Sequence, residues 1–269
     1  MSAAANTKIV LLAQKDSSEK TKLACEEGPL ESWLAVRQDM WGPGNLTPLD
    51  SVFASRAIGA LAPARGALFG AVCHHLGRRL FTFGREADIP IESFEGEPGL
   101  SRLEMQPWDK VRLTPWVPAR NLLGKEKFTH LAVLSPSHLQ GPLDRLVQEA
   151  AQSLKQGGRL FLADLMARRN GAALPTAPTP HGEGEYRAWL AAAGMELHGE
   201  HDLTDDVRVA LLRGLHMSLN MLVNTRRLGE PWRSQRLNAF EKELEFAVAL
   251  RLAMDRGEIA ATAFCCVRK

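Results

Sequence analysis

Apolar residues along this chain change their spacing repeatedly, and the changes divide it into elements. Residues 1–28 show no apolar periodicity and carry scattered Lys and Glu, which predicts a loose arm. The run PLESWLAVRQDMW, 29–41, reads as a helix with Pro29 near its start, and GPGN at 42–45 ends it. Thr47 then caps a second helix with Pro48 at its first position, and Val52, Phe53 and Ile58 suit one face of it. Farther on, FTHLAVL at 128–134 is the short apolar run that a buried strand leaves. In GPLDRLVQEAAQSLK, 141–155, Leu143, Leu146, Val147, Ala150 and Leu154 recur at helical spacing. That helix hands over through Gly157-Gly158 to a second apolar run, 158–165, which contains Asp164. A Pro- and Gly-rich loop occupies 167–184. A short helix at 185–194 ends at Gly194 and leads to a strand at 195–203. Two longer helices follow, near 205–224 and 233–256, and the alternating, β-prone EIAATAFCCVRK closes the sequence at 258–269.

Strands that alternate with helices predict an α/β fold with a largely parallel sheet. No internal repeat interrupts the pattern. With 269 residues, 45% of them hydrophobic, the chain can build one sizeable core, and 29–269 is expected to be a single domain behind the arm. The 33 basic and 31 acidic residues leave a net charge of +2, which gives no electrostatic footprint for nucleic acid. No apolar run approaches the ~18 residues of a membrane span, and IVLLA at 9–13 is too short for a secretory signal. Cys25, Cys73, Cys265 and Cys266 form no CxxC pair, and the last two would point to opposite faces of a strand. A reduced, cytoplasmic protein is the expectation.

Four stretches then share an order and spacing with a known family. They are LAVLSPSHL, LVQEAAQSLKQGGRLFLADL, YRAWLAAAGMELHGEHDLT and LAMDRGEIAATAFCCVRK. Together they resemble the fourth strand and its loop, the helix and fifth strand, the Ala-Gly turn and strand, and the closing strand of the class I S-adenosylmethionine-dependent methyltransferases, small-molecule branch. Gln156 stands where that family often has proline. The resemblance covers about half the chain. It implies a Rossmann-like seven-stranded sheet with helices on both faces, the last strand antiparallel, and an N-terminal helical cap. It also implies a cofactor crevice at the carboxyl ends of the first strands, with a glycine-rich turn after strand one and an acidic ribose anchor after strand two.

The matching stretch should lie within 58–86, and two registers compete. Strand one at 66–72 with strand two at 79–84 leaves too few residues for a parallel crossover, which needs ~10–12. The other register takes SRAIGAL, 55–61, as strand one and 64–77 as the crossover helix, with Leu68, Phe69, Val72 and Leu76 on one face and Gly77 as its cap; it is preferred. Its cofactor loop is APARG, so Gly66 is the surviving glycine and Glu86 the candidate ribose anchor, with a solvated helix-start carboxylate as the alternative for Glu86. Ser135, which opens the loop after strand four, is the third cofactor-side candidate. In the same loop His138 is the candidate general base, against a plain surface role. Ala62 and Pro63 occupy the cofactor loop, and Thr129-His130 replaces the family's acidic position before strand four. The functional expectation is a methyltransferase-like protein with weakened or lost S-adenosylmethionine binding, acting as a binding or partner subunit, with a small molecule or a protein as its partner. The alternative is an active small-molecule methyltransferase. His74-His75, His198 and His201 lack the closed ligand sets of a structural zinc site. Arg226-Arg227 could hold an anion or sit in a solvated turn, and Trp41 could roof a pocket or pack in the core.

Overall fold

The computed structural model describes residues 29–41, 47–96, 108–117, 120–169, 174, 179–225, 228–229 and 232–269. The arm at 1–28 and the Arg226-Arg227 pair lie outside the described residues. In chain order the elements are α1 (Pro29–Trp41), α2 (Pro48–Leu61), β1 (Phe69–Cys73), α3 (Gly77–Ala87), β2 (Ile91–Glu95), β3 (Val111–Pro115) and β4 (Phe128–Leu134). Then come α4 (Leu143–Ser153), β5 (Leu154–Ala167), α5 (Glu183–Ala192), β6 (Met195–Asp202), α6 (Thr204–Thr225), α7 (Trp232–Asp255) and β7 (Ile259–Arg268).

All seven strands pair in one sheet of order β3-β2-β1-β4-β5-β7-β6. The first five run parallel, and β7 enters antiparallel between β5 and β6. The strands expected near 129–134, 159–164, 195–203 and 259–267 are therefore in one sheet, the last of them reversed. Alternate residues feed two apolar layers. Ala71, Leu134, Phe161 and Ala263 face α1, α2, α3, α6 and α7, whereas Val72, Val133, Leu162 and Phe264 face α4 and α5. Helices cover both faces, as the resemblance implied. Cys265 and Cys266 divide between the two layers as their adjacency in a strand requires.

The first third of the sheet departs from the preferred register. Residues 55–61 belong to α2, whose start is fixed by Pro48 and a reciprocal Thr47/Asp50 capping box. Leu49, Phe53, Ala57 and Leu61 bury one stripe of it at helical spacing. The expected crossover helix at 64–77 instead contains β1, every residue of which is buried. The expected strand two at 79–84 lies within α3, which buries Leu80, Phe81 and Gly84. The true second strand is IESFE, 91–95.

Candidate functional site

β1 lies between β2 and β4, so the chain leaves it outward on one side and returns on the other. That switch point opens a crevice at the carboxyl ends of these strands, where open α/β sheets bind their ligands. β1 ends in Cys73, and His74, His75 and Leu76 carry the chain to α3, where Gly77 takes a φ of +70° that a side chain would resist. The end of β2 is tied to the end of β1, and the end of β4 to β5. The amide of Gly96 donates to the carbonyl of Cys73 at 3.1 Å, and that of Ser135 donates to the carbonyl of Ala163 at 2.8 Å.

Four side chains fill the crevice. Cys73 is buried beside Ser93, with 3.7 Å between Sγ and Oγ. Burial pushes its thiol well above the ordinary value, and the charge of Glu95 adds to the effect. His75 turns toward α2, its Nδ1 3.9 Å from Asp50 Oδ2, with 1% of its side chain exposed. The His74 ring meets the His138 ring edge-on, with centroids 6.5 Å apart. A Cβ built on Gly96 would stand 3.6 Å from His74 Cδ2 and 3.2 Å from Leu139 Cδ2, so these two side chains lie over the end of β2. Glu95 closes β2, fully buried, in register with Cys73. The space left between the loop and α2, lined by Asp50, Phe53, His74, His75, Leu134 and Ser135 among others, is about 10 Å³. That is room for one water at most.

Burial, followed by repulsion from His138, lowers the His74 pKa from 6.5 to about 4. A histidine depressed in this way favours the fold fully above its unfolded value and loses that contribution as pH falls through its folded value. We expect the His74 imidazole proton signals to titrate with a midpoint near 4. His74→Gln should be less pH-sensitive than the wild type between about pH 6.5 and 4. A His74 midpoint above 6 would contradict this environment.

Asp164 sits just below the loop that carries His138. It accepts hydrogen bonds from the Ser137 amide (2.9 Å), the Ser137 hydroxyl (2.8 Å) and the Leu165 amide (2.8 Å), and from the Tyr186 hydroxyl at 2.5 Å. It therefore holds the short 3-10 turn Pro136–His138 against β5 and α5.

The structure separates the residues singled out in the sequence. Gly66 lies in an exposed turn before β1, at the end of the strand opposite the crevice, with φ +88°. Glu86 is exposed on α3 and does not close a strand. Their expected cofactor roles fell with the register that placed them. Thr129 also lies at the far end, where its hydroxyl accepts from the Leu68 amide at 2.9 Å, so its replacement of an acidic residue has no bearing on the crevice. Ser135 does reach the crevice, buried and in a left-handed turn with φ 49°. His138 is there too, against His74. Sequence reasoning missed Cys73, His74, His75 and Glu95 as a group. The usable signal was the apolar GALFGAV followed by CHHLG, a strand entering a turn at Gly77.

No family model matches this sequence, and no curated protein matches it. Solved structures do match the fold. Phosphoethanolamine N-methyltransferase 2 of Haemonchus contortus, in complex with S-adenosyl-L-methionine, superposes with a TM-score of 0.69 at 9% identity over 93% of this chain. The chain spans 58% of that enzyme's length. The cyclase SpnF gives 0.66 at 12% identity, covering 90% of this chain and 94% of that one. Geranyl diphosphate C-methyltransferase from Streptomyces coelicolor A3(2), in complex with Mg2+, geranyl diphosphate and S-adenosyl-L-homocysteine, gives 0.59 at 15% identity, covering 82% of this chain and 80% of that one. The fold is that of the class I S-adenosylmethionine-dependent methyltransferases.

Proposed function

We propose that this protein keeps the methyltransferase fold but has weakened or lost S-adenosylmethionine binding, and that it acts as a binding or partner subunit. The observation that carries this reading is the Cys73-His74-His75 loop. A cofactor with a charged methionine end and a ribose needs close backbone approach at the end of β1, which glycines permit and side chains obstruct. Here Cys73 and His75 bring side chains into that space, and His75 is seated on α2. Among the described residues the crevice residues do not fit the group. One suitable anchor remains, Glu95. A hydrogen bond to a charged group contributes about 1.5–3 kcal/mol, whereas micromolar binding needs about 8 kcal/mol. The fold itself does not require methyl transfer, since function resides in the site, and one solved neighbour is a cyclase.

A second reading, an active S-adenosylmethionine-dependent methyltransferase of a small molecule, draws on two observations. Glu95 ends β2, where the resemblance asks for a ribose anchor, and solved neighbours hold S-adenosylmethionine or S-adenosylhomocysteine. The comparisons favour this reading; the packing of the crevice favours the first. Isothermal titration of the full chain with both compounds separates them. We expect no affinity tighter than about 1 mM. Micromolar binding that disappears in Glu95→Ala would replace the first reading with the second. Both readings suit a reducing, cytoplasmic compartment, with Cys73, Cys265 and Cys266 as free thiols.

A further inference from the structure

α2 has a second face. Asp50 and Phe53 look into the crevice, but Ser51, Val52 and Ser55 line a separate groove between α2, the end of α1 and α6. Its volume is about 450 Å³, within the ~300–1,000 Å³ typical of small-molecule sites. Trp41 forms one end. Its ring lies directly over Gly214 of α6, where an added Cβ would stand 2.1 Å from Cζ3, so only glycine lets the indole settle there. Val52, Val209 and Met217 supply the rest of an apolar floor, and Val209 and Met217 remain 46% and 45% exposed on a helix whose other face is core. In a concave trough these side chains offer a ligand apolar surface to cover.

The charges on the rim do not balance. Arg56 is already neutralised, its guanidinium donating twice to Asp206 Oδ2 at 3.0 and 2.5 Å. Arg213, on the next turns of α6, has neither a hydrogen bond nor an ion pair among the described residues. A guanidinium with its fork unengaged at the edge of an apolar trough suits a carboxylate, which it can grip through two parallel bonds. We infer that the groove binds an amphipathic monoanion, a medium-length acyl chain ending in a carboxylate. The chain lies along Trp41, Val52, Val209 and Met217, the carboxylate rests on Arg213, and the hydroxyls of Ser51 and Ser55 border it. This inference does not depend on whether the crevice binds S-adenosylmethionine.

Decanoate, titrated calorimetrically into the full chain below its critical micelle concentration, is the test. Binding is expected at one site, with decyltrimethylammonium failing to compete for it. Arg213→Glu should weaken decanoate by at least about tenfold, and Arg213→Lys should recover part of the loss. Ser55→Trp, which fills the groove from the α2 wall, should abolish binding. Arg213 is exposed and Ser55 half-buried, so circular dichroism of both variants should match the wild type. Absence of decanoate binding, equal binding of the cationic analogue, or unchanged affinity in both variants would overturn the proposal. So would a monomer–dimer equilibrium that Ser55→Trp removes while decanoate gives no heat, since the groove would then belong to a second copy. Titration of the same Ser55→Trp protein with S-adenosylmethionine reads the crevice independently, because that side chain faces away from it.

Discussion

Asp164→Ala is expected to lower the unfolding free energy by roughly 3–5 kcal/mol, the range for leaving a buried polar network without its central acceptor. Its carboxylate is fully buried and takes four hydrogen bonds, from two Ser137 groups, the Leu165 amide and the Tyr186 hydroxyl. Alanine leaves the Tyr186 hydroxyl, itself fully buried, with no acceptor in place, and frees the turn that carries His138. In a protein of this size such a loss lowers Tm by roughly 10 °C or more. Urea unfolding measures it, and a change under about 1 kcal/mol would mean that Asp164 does not organise this corner. Asp164→Asn keeps the shape and should lose less. Its pH dependence tests the electrostatics: burial raises the Asp164 pKa, while bonds from Tyr186 and Ser137 pull it back in part. A carboxyl raised in the folded state contributes stability that is complete below its unfolded value and lost as pH climbs through the folded one. The stability advantage of wild type over Asp164→Asn should therefore shrink as pH rises from about 3.8.

The same corner shows what was legible in the sequence. The helical period of LDRLVQEAAQS identified α4 and the apolar run RLFLADL identified the body of β5, because a central parallel strand leaves a continuous apolar run; LKQGG, expected as a helix end and glycine turn, is instead the start of β5. The closing strand was legible from its β-prone composition, and like β5 it is central and buried on both faces over most of its length. Within 58–95 these signals misled. β1, Phe69–Cys73, is buried on both faces, so its run carries no alternation, and Leu68, Phe69, Val72 and Leu76 match a helical face just as well. RLFTFG alternates like a strand, yet it is an amphipathic helix whose buried residues are Leu80, Phe81 and Gly84. IESFE carries two glutamates, which break any continuous apolar run, although Glu95 is fully buried. Residues 66–72 and 79–84 cannot both be adjacent parallel strands, since the crossover between them is too short, and 79–84 is the stretch that is not a strand. Strand one was correctly placed in the rejected register, and the error lay in strand two.

That error moved the candidate site to the wrong end of the sheet. Gly66 and Glu86 follow from a loop that is not at the crevice. Ala62 and Pro63 are no obstacle to a ligand, because they connect α2 to β1 on the far side. The side chains at the end of β1 are instead Cys73, His74 and His75, and the acid that closes β2 is Glu95, not Glu86. Histidines in a turn carry no periodicity, and their burial against Asp50 depends on the position of α2, a tertiary fact that local pattern cannot supply.

Glu243→Ala should give the second large stability loss, about 3 kcal/mol, by releasing the N-terminal cap from the helices beneath it. Glu243 of α7 is buried, and its carboxylate accepts from Arg37 Nε at 2.6 Å and from Trp41 Nε1 at 3.4 Å. Arg37 and Trp41 both lie on α1, so one side chain clamps that helix at two points. The side chains of Arg37 and Glu243 are 19% and 6% exposed, which places the pair in the low-dielectric regime where removing one partner costs more than the pair itself contributes. A double-mutant cycle with Arg37→Met isolates the coupling. The double variant should recover part of the loss of Glu243→Ala, because the guanidinium that faced the carboxylate is gone along with it. Simple additivity of the two single losses would show that Arg37 and Glu243 act independently, leaving the indole contact as the link between α7 and the cap. The cycle also bears on the groove, since Trp41 forms its end wall. If the clamp positions that wall, Glu243→Ala should weaken decanoate while leaving Arg213 and Ser55 in place, and Arg37→Met/Glu243→Ala should restore affinity in step with stability.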